Sequence, residues 1–185
     1  MYEPQEDSHL LKEVVLKYCK SNKVGLFLDM GAGSGIQGFS VIDSVSSVLM
    51  VDVNQKVVNF LKEEIIKKGL ADKIDVVFSD LFDSVPNRFK GKIDLAVFNP
   101  PYLPKGEDDY DDLELYGGED GLVVTKKFLE KVRDFLSEEG VIFFVASSHS
   151  KIDKLEEFMY DKNFKFEIVA KEHIFFEDIL IYKAF

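Results

Sequence analysis

The sequence predicts an α/β fold, a mostly parallel sheet with helices on both faces. Three observations carry that prediction. Short apolar runs of strand length alternate with longer stretches whose apolar residues recur at helical spacing. A glycine-rich turn, Gly31-Ala32-Gly33-Ser34-Gly35, directly follows the first of those runs. A fourth run, Ile93-Asp94-Leu95-Ala96-Val97-Phe98, stops at Asn99-Pro100-Pro101-Tyr102. Alternation implies right-handed crossovers, and ligands of such sheets bind just beyond the carboxyl ends of the strands. The glycine turn and Asn-Pro-Pro-Tyr both fall at such ends.

The elements follow in order. Glu6 to Lys20 places Leu10, Leu11, Val14, Val15 and Tyr18 on one helix face. Val24 to Met30 is a strand, the glycine turn follows, and Ile36 to Asp43 is helical. Ser47 to Val53 is a second strand. Asn54 then caps a helix whose Val57, Val58, Leu61 and Ile65 point inward, ending at Lys67-Lys68-Gly69. Ile74 to Ser79 and Ile93 to Phe98 are the third and fourth strands. Leu122, Leu129, Val132 and Leu136 mark a helix that stops before Gly140, and Val141 to Ala146 is a fully buried fifth strand. Ser150 with Asp153 resembles a capping box for a helix containing Ile152, Leu155 and Met159. Phe164 to Ala170 and Asp178 to Lys183 close the chain as strands. They have no helix between them, so at least one runs antiparallel.

The 185 residues fit a single domain, 1–185, with residues 1–22 as an N-terminal helix or lid. The stretch 103–118 has neither period and holds Glu107, Asp108, Asp109, Asp111 and Asp112 around Tyr110. Its length and position favour a substrate-covering loop. A calcium-like carboxylate site is the lesser reading, since the spacing departs from the EF-hand pattern.

Composition narrows the function. Hydrophobic residues make up 46%, including 17 Phe, which excludes a disordered chain. No apolar run approaches a membrane span, and the acidic start, Glu3-Pro4-Gln5-Glu6-Asp7, is unlike a signal peptide. A lone Cys19 permits neither an internal disulfide nor a zinc cluster, so the expected compartment is the cytoplasm, with no resident metal. A net charge of −11 disfavours nucleic-acid backbones as partners. Lys62, Lys67, Lys68 and Lys73 are read as a solvated helix face.

The chemistry concentrates at the strand ends. Asn99 has a carboxamide oxygen and Pro100 a carbonyl, and each can accept one N–H of a planar –NH2 group. Two successive prolines stiffen the turn, and Tyr102 offers a flat face for an amide or base. Alone, this tetrapeptide reads equally as a strand ending in a Pro-Pro turn. Gly33, Gly35 and Gly38 meet the G-x-G-x-x-G spacing with Asp52 roughly 20 residues on. The tighter Gly31, Gly33, Gly35 register sits closer to the strand. Asp29, Asp52 and Asp80 end three consecutive strands. They can meet a ligand ammonium, a ribose and an adenine amino group respectively. Three carboxylates would repel a dinucleotide pyrophosphate and suit a cationic nucleoside such as S-adenosylmethionine.

Together these motifs resemble class I S-adenosylmethionine-dependent methyltransferases. Within that class the chain is similar to the HemK-type protein-glutamine N5-methyltransferases of the short archaeal and eukaryotic branch. Tyr2-Glu3-Pro4-Gln5-Glu6-Asp7-Ser8 and Leu115-Tyr116-Gly117-Gly118-Glu119-Asp120-Gly121 look like two signatures of that branch. The resemblance implies a Rossmann-like sheet of seven strands in the order 3-2-1-4-5-7-6 with strand 7 antiparallel. It implies cofactor contacts from Ser8, Asp29, Gly31, Gly33, Asp52, Asp80, Leu81 and Asn99. It gives Asn99, Pro100 and Tyr102 the catalytic role of holding a substrate amide. The implied substrate is the Gln of the Gly-Gly-Gln motif in a class I release factor. Without the extra N-terminal helical domain of the bacterial enzymes, docking is expected to differ from theirs. A small zinc-binding activator subunit along the third-strand edge, Ile74 to Phe78, is the implied partner. Two other readings stand beside this one: N6-adenine methylation of RNA or DNA, which needs the same grip, and a non-catalytic cofactor-binding module. His9, His149 and His173 are widely separated and read as structural.

Overall fold

The computed structural model describes residues 4–104, 116–174 and 176–185. The elements in chain order are α1 (Glu6–Ser21), β1 (Val24–Met30), α2 (Ile36–Val41), β2 (Val45–Asp52), α3 (Gln55–Lys67), β3 (Ile74–Phe78), β4 (Ile93–Phe98), α4 (Val123–Val132), β5 (Leu136–Ser147), α5 (Ile152–Asp161), β6 (Phe166–Ile174) and β7 (Glu177–Ala184). Seven strands form one sheet in the order β3-β2-β1-β4-β5-β7-β6. Neighbours from β3 through β5 are parallel, while β7 runs antiparallel to both β5 and β6. This is the strand order and the antiparallel seventh strand that the sequence resemblance implies.

Strand alternation divides the core. Leu28, Leu49, Ala96 and Phe144 point to one face, where Phe128, Leu129, Leu155 and Met159 of α4 and α5 cover them. Phe27, Val48, Leu95 and Phe143 point to the other, under Leu11 and Val15 of α1 and Val57, Leu61 and Ile65 of α3. Central strands buried on both sides are near-continuous apolar runs for that reason. The Asn54 cap is present, its side chain accepting from Lys56 N at 3.0 Å, and Gly69 takes a φ of +66° just after α3. The lysine face is solvated: Lys67 and Lys68 both face Glu64, at 2.7 and 3.9 Å.

Two expectations are corrected. The helix expected to reach Leu136 ends at Val132, and Leu136 instead begins β5, paired with Ile93. Register then shifts so that Leu95 pairs with Val141. Gly140 makes this possible, because a Cβ there would lie 2.8 Å from the Ile93 carbonyl oxygen. The capping box is also absent. The N-cap of α5 is Lys151, with no side-chain cap bond, and the Ser150 hydroxyl donates to the Tyr102 carbonyl at 2.7 Å.

The helix α1 reaches β1 through the short link Asn22-Lys23. Its first turn lies at the carboxyl ends of the parallel strands, where Asp7 meets Asn99 just beyond β4.

Candidate active site

The carboxyl ends of β1, β2 and β4 and the first turn of α1 converge on one site. At β1, Asp29 is buried and its Oδ2 accepts from Gly38 N at 2.9 Å. Burial, with the Asp52 charge adding to it, pushes its carboxyl up to about 8, against the pull of the Gly38 hydrogen bond. Gly38 has the third-glycine role of the nominal fingerprint. A Cβ there would meet Met50 Cε at 2.5 Å and Val48 Cγ1 at 3.0 Å, so glycine lets α2 close on the sheet. Gly31, Gly33 and Gly35 all have positive φ, the conformation glycine adopts without a Cβ penalty. Both glycine registers are therefore in use.

Asp52 ends β2, buried, with Oδ2 accepting from Gly33 N at 2.9 Å and Oδ1 from Asn54 N at 2.8 Å. Asp80 lies two residues beyond β3, exposed, and Leu81 beside it has a φ of +44°. Such a backbone is costly for a branched side chain and concentrates at ligand-clamping turns.

At β4, Asn99 Nδ2 donates to Asp7 Oδ2 at 3.1 Å and lies 3.2 Å from Ser8 Oγ. Among the described residues its Oδ1 is buried without a hydrogen-bond partner. The Tyr102 hydroxyl donates to the same Asp7 oxygen at 3.1 Å, and its ring packs on the α1 side of the core. The clamp backbone is held from behind. Ser150 Oγ and Gly117 N donate to the Tyr102 and Leu103 carbonyls, and Leu103 bridges to Tyr116. A shallow cleft of about 100 Å³ opens beside the clamp between Gln5, Asp7, Tyr102, Ile174 and Glu177.

The structure thus brings Ser8, Asp29, Gly31, Gly33, Asp52, Asn99, Pro100 and Tyr102 to one end of the sheet, with Asp80 and Leu81 beyond neighbouring β3. It adds Asp7, which reasoning from residue types passed over as part of an acidic N-terminus. A signal was present, because an Asp at an apolar-facing helix position is rarely buried without a task. Most of 103–118, including the alternative carboxylate cluster, lies outside the described residues. His9 and His149 are exposed, and His173 pairs with Asp178 at 2.8 Å. Ser147 is buried and donates to a Glu177 carboxylate oxygen.

The arrangement can hold a cationic nucleoside. Its donor set is carboxylates and turn amides, and a Cβ at Gly33 would meet only the Gly31 carbonyl oxygen, at 3.9 Å, so that side of the turn is open. Beside it, the Asn99 oxygen can accept an N–H from a second ligand.

Comparison with known proteins agrees with this geometry. A Methanocaldococcus jannaschii protein, provisionally named a protein N5-glutamine methyltransferase, is 30% identical over all of this chain and 91% of its own length. The release factor glutamine methyltransferase of Borreliella burgdorferi is 29% identical over 87% of this chain. The chain spans only 58% of that bacterial relative. Among solved structures, a chain of the E. cuniculi Mtq2-Trm112 complex, described as responsible for methylating the eRF1 termination factor, superposes with a TM-score of 0.75. It is 21% identical and covers 99% of this chain and 96% of its own. The methyltransferase small domain matches residues 7–176, and the chain belongs to that methyltransferase family.

Proposed function

We propose that this protein is an S-adenosylmethionine-dependent N-methyltransferase acting on N5 of the glutamine in the Gly-Gly-Gln motif of a class I translation release factor. The carrying observation is the Asn99 carboxamide: its NH2 is engaged by Asp7 and Ser8, and its buried oxygen is without a partner among the described residues. A buried acceptor left unpaired costs about 1–3 kcal/mol, so the site is built to receive an N–H. The named activities of the relatives from Methanocaldococcus jannaschii and Borreliella burgdorferi support glutamine over adenine as the donor of that N–H. The net charge of −11 supports the same choice.

When bound, S-adenosylmethionine supplies a methyl group on a positively charged sulfur. Asp29 and Gly31 would border its methionyl part, Asp52 would hold the ribose, and Asp80 and Leu81 would border the adenine. Ser8 and Gly33 complete the wall. An amide nitrogen is a weak nucleophile because its lone pair is delocalised. Asn99 Oδ1 and the Pro100 carbonyl accept its two N–H groups, orient it and favour the positive charge that develops on it. Tyr102 packs beside that amide. No buried imidazole serves as a base among the described residues; the nitrogen takes on the positive charge as the methyl leaves sulfur, and that cationic amide is acidic enough to lose one N–H proton to water.

The implied partner is a small zinc-binding subunit adding a strand at β3. That strand is one of the two sheet edges, with Val76 and Val77 half-buried and Phe78 exposed. The solved Mtq2-Trm112 structure is a complex of two proteins, which supports a partner subunit as such.

Mass spectrometry of a Gly-Gly-Gln release-factor peptide, after incubation with enzyme and cofactor, tests the assignment. A 14-dalton gain on the glutamine (one methyl replacing hydrogen, about 14 Da) is expected. Methyl label entering only an oligonucleotide overturns it. Full activity of a soluble chain without any partner overturns the β3 subunit.

A further inference from the structure

We propose that Asp7 is a positioning residue that fixes the Asn99 carboxamide in one of its two orientations, oxygen toward the substrate. A carboxamide has two ends of nearly equal shape and opposite hydrogen-bonding sense, and a 180° flip exchanges them. For an incoming N–H, only one orientation is productive. The flipped one presents NH2 to NH2.

Among the described residues, contacts of Ser8, Tyr102 and Asp7 bear on the choice. Ser8 Oγ lies 3.2 Å from Asn99 Nδ2, but a hydroxyl can donate or accept and does not discriminate. The Tyr102 hydroxyl donates to Asp7 Oδ2 at 3.1 Å, holding that oxygen as an acceptor. Asp7 Oδ2 stands 3.1 Å from the Asn99 amide, and an ionised carboxylate only accepts. A flip would set the Asn99 oxygen against that carboxylate and remove a charge-assisted hydrogen bond. Asp7 is 4% exposed, so solvent does little to screen the contact. Its other oxygen accepts from Ser8 N, which fixes the carboxylate plane. Asp7 and Asn99 are 92 positions apart in the chain, so α1 must dock for the amide to be set.

This inference rests on the reading of Asn99 as the acceptor of a substrate N–H. It also makes a swap prediction that simple support of the fold does not. In Asp7→Asn, the oxygen held by Ser8 N stays an acceptor, so the new NH2 faces the Asn99 NH2 and drives Asn99 to flip. Exchanging the pair, Asp7→Asn with Asn99→Asp, lets the new NH2 donate to the new carboxylate and returns an oxygen to the substrate side.

The test compares the whole protein, with its partner if one is needed, as wild type, D7N, N99D and D7N/N99D. In D7N, kcat on the release-factor peptide is expected to fall about a hundredfold, with cofactor Kd within about threefold. The double swap is expected to recover at least about tenfold over either single variant. Side-chain amide 15N NMR supplies a readout that needs no substrate: the Asn99 NH2 resonances, identified by their loss in N99D, shift strongly in D7N. An unchanged kcat and unmoved resonances in D7N overturn the proposal. If D7N loses its cooperative melt, N99D and the swap decide, and a swap no more active than N99D overturns it. A wild type inert toward the peptide refutes the substrate reading instead, while the resonances still decide the orientation.

Discussion

Asp52 Oδ2 accepts the backbone N–H of Gly33 at 2.9 Å, tying the glycine turn after β1 to the end of β2. Its other oxygen holds Asn54 N, the entry to α3, at 2.8 Å. One side chain therefore sets both the glycine turn and the entry to α3. Asp52→Ala strands two amides and is expected to cost about 2–4 kcal/mol. That lowers the melting temperature by roughly 5–15 °C for a chain of this size. It should also weaken cofactor binding at least about tenfold, with Asp52→Asn intermediate because it keeps one acceptor. Calorimetric titration alongside thermal melts checks both. An unchanged cofactor Kd in Asp52→Ala would remove Asp52 from the binding site.

Asn99→Ala separates catalysis from cofactor binding. Its NH2 touches Asp7 and Ser8, and its oxygen is buried without a hydrogen-bond partner among the described residues. Loss of one such fixed acceptor is expected to lower kcat by about 10² to 10³. Cofactor Kd should stay within about threefold. Single-turnover methylation with labelled cofactor, beside equilibrium binding, reads the two effects. Collapse of binding with transfer would mean that Asn99 serves the cofactor rather than the amide.

The sheet and the strand-end motifs were legible because their causes are local. Phe27, Leu28 and Val97, Phe98 alternate between two covered faces, and that period is visible in the chain itself. Asp29, Asp52 and Asn99 lie at or within one residue of the ends of their strands, so finding the strands found the residues. Local pattern shows Asp7 only as an acid on an apolar helix face; what it holds was not legible, because its partners lie 92 and 95 positions away. Ser150 misled for the same reason. Its sequence neighbours suggest a cap, and a carbonyl 48 positions distant takes its hydroxyl. Leu136 keeps helical spacing with Leu129 and Val132, yet pairing with Ile93 claims it for the sheet.

Gly121 explains why the Gly117-to-Gly121 segment needs its glycines. Gly121 has a φ of +70°, and a Cβ there would lie 2.2 Å from the Tyr102 carbonyl oxygen and 2.9 Å from Ser150 Oγ. Both obstacles belong to the hydrogen bond that steadies the clamp. Gly121→Ala should destabilise by about 2–4 kcal/mol, from strain and overpacking together. At temperatures where the variant is folded, kcat should fall at least about tenfold, because the backbone behind Tyr102 shifts. Melting curves and steady-state kinetics at 20 °C check this. A variant as active as wild type would make the segment a passive spacer.

Asp29 ties stability and cofactor binding to pH in opposite directions. Its carboxyl is raised from 3.8 to about 8 by burial, so between those values the folded chain holds a proton that the unfolded chain has released. Its contribution to stability is full below about pH 4, declines as pH rises toward 8, and levels off above. Asp29→Asn is neutral throughout and keeps an acceptor for Gly38 N, which now meets the Asp29 oxygen at 2.9 Å. The melting temperature of the variant relative to wild type should therefore climb from pH 5 to pH 8, with a gain on the order of a few kcal/mol. A cationic cofactor favours the ionised form, so wild-type affinity should tighten over the same range as less work is needed to remove the proton. The variant should bind more weakly and lose that slope. Parallel melts and titrations from pH 5 to 9 read both. A difference curve flat in pH would mean that Asp29 is ionised throughout, and the carboxylate would then face the ligand as a fixed charge rather than a titrating one.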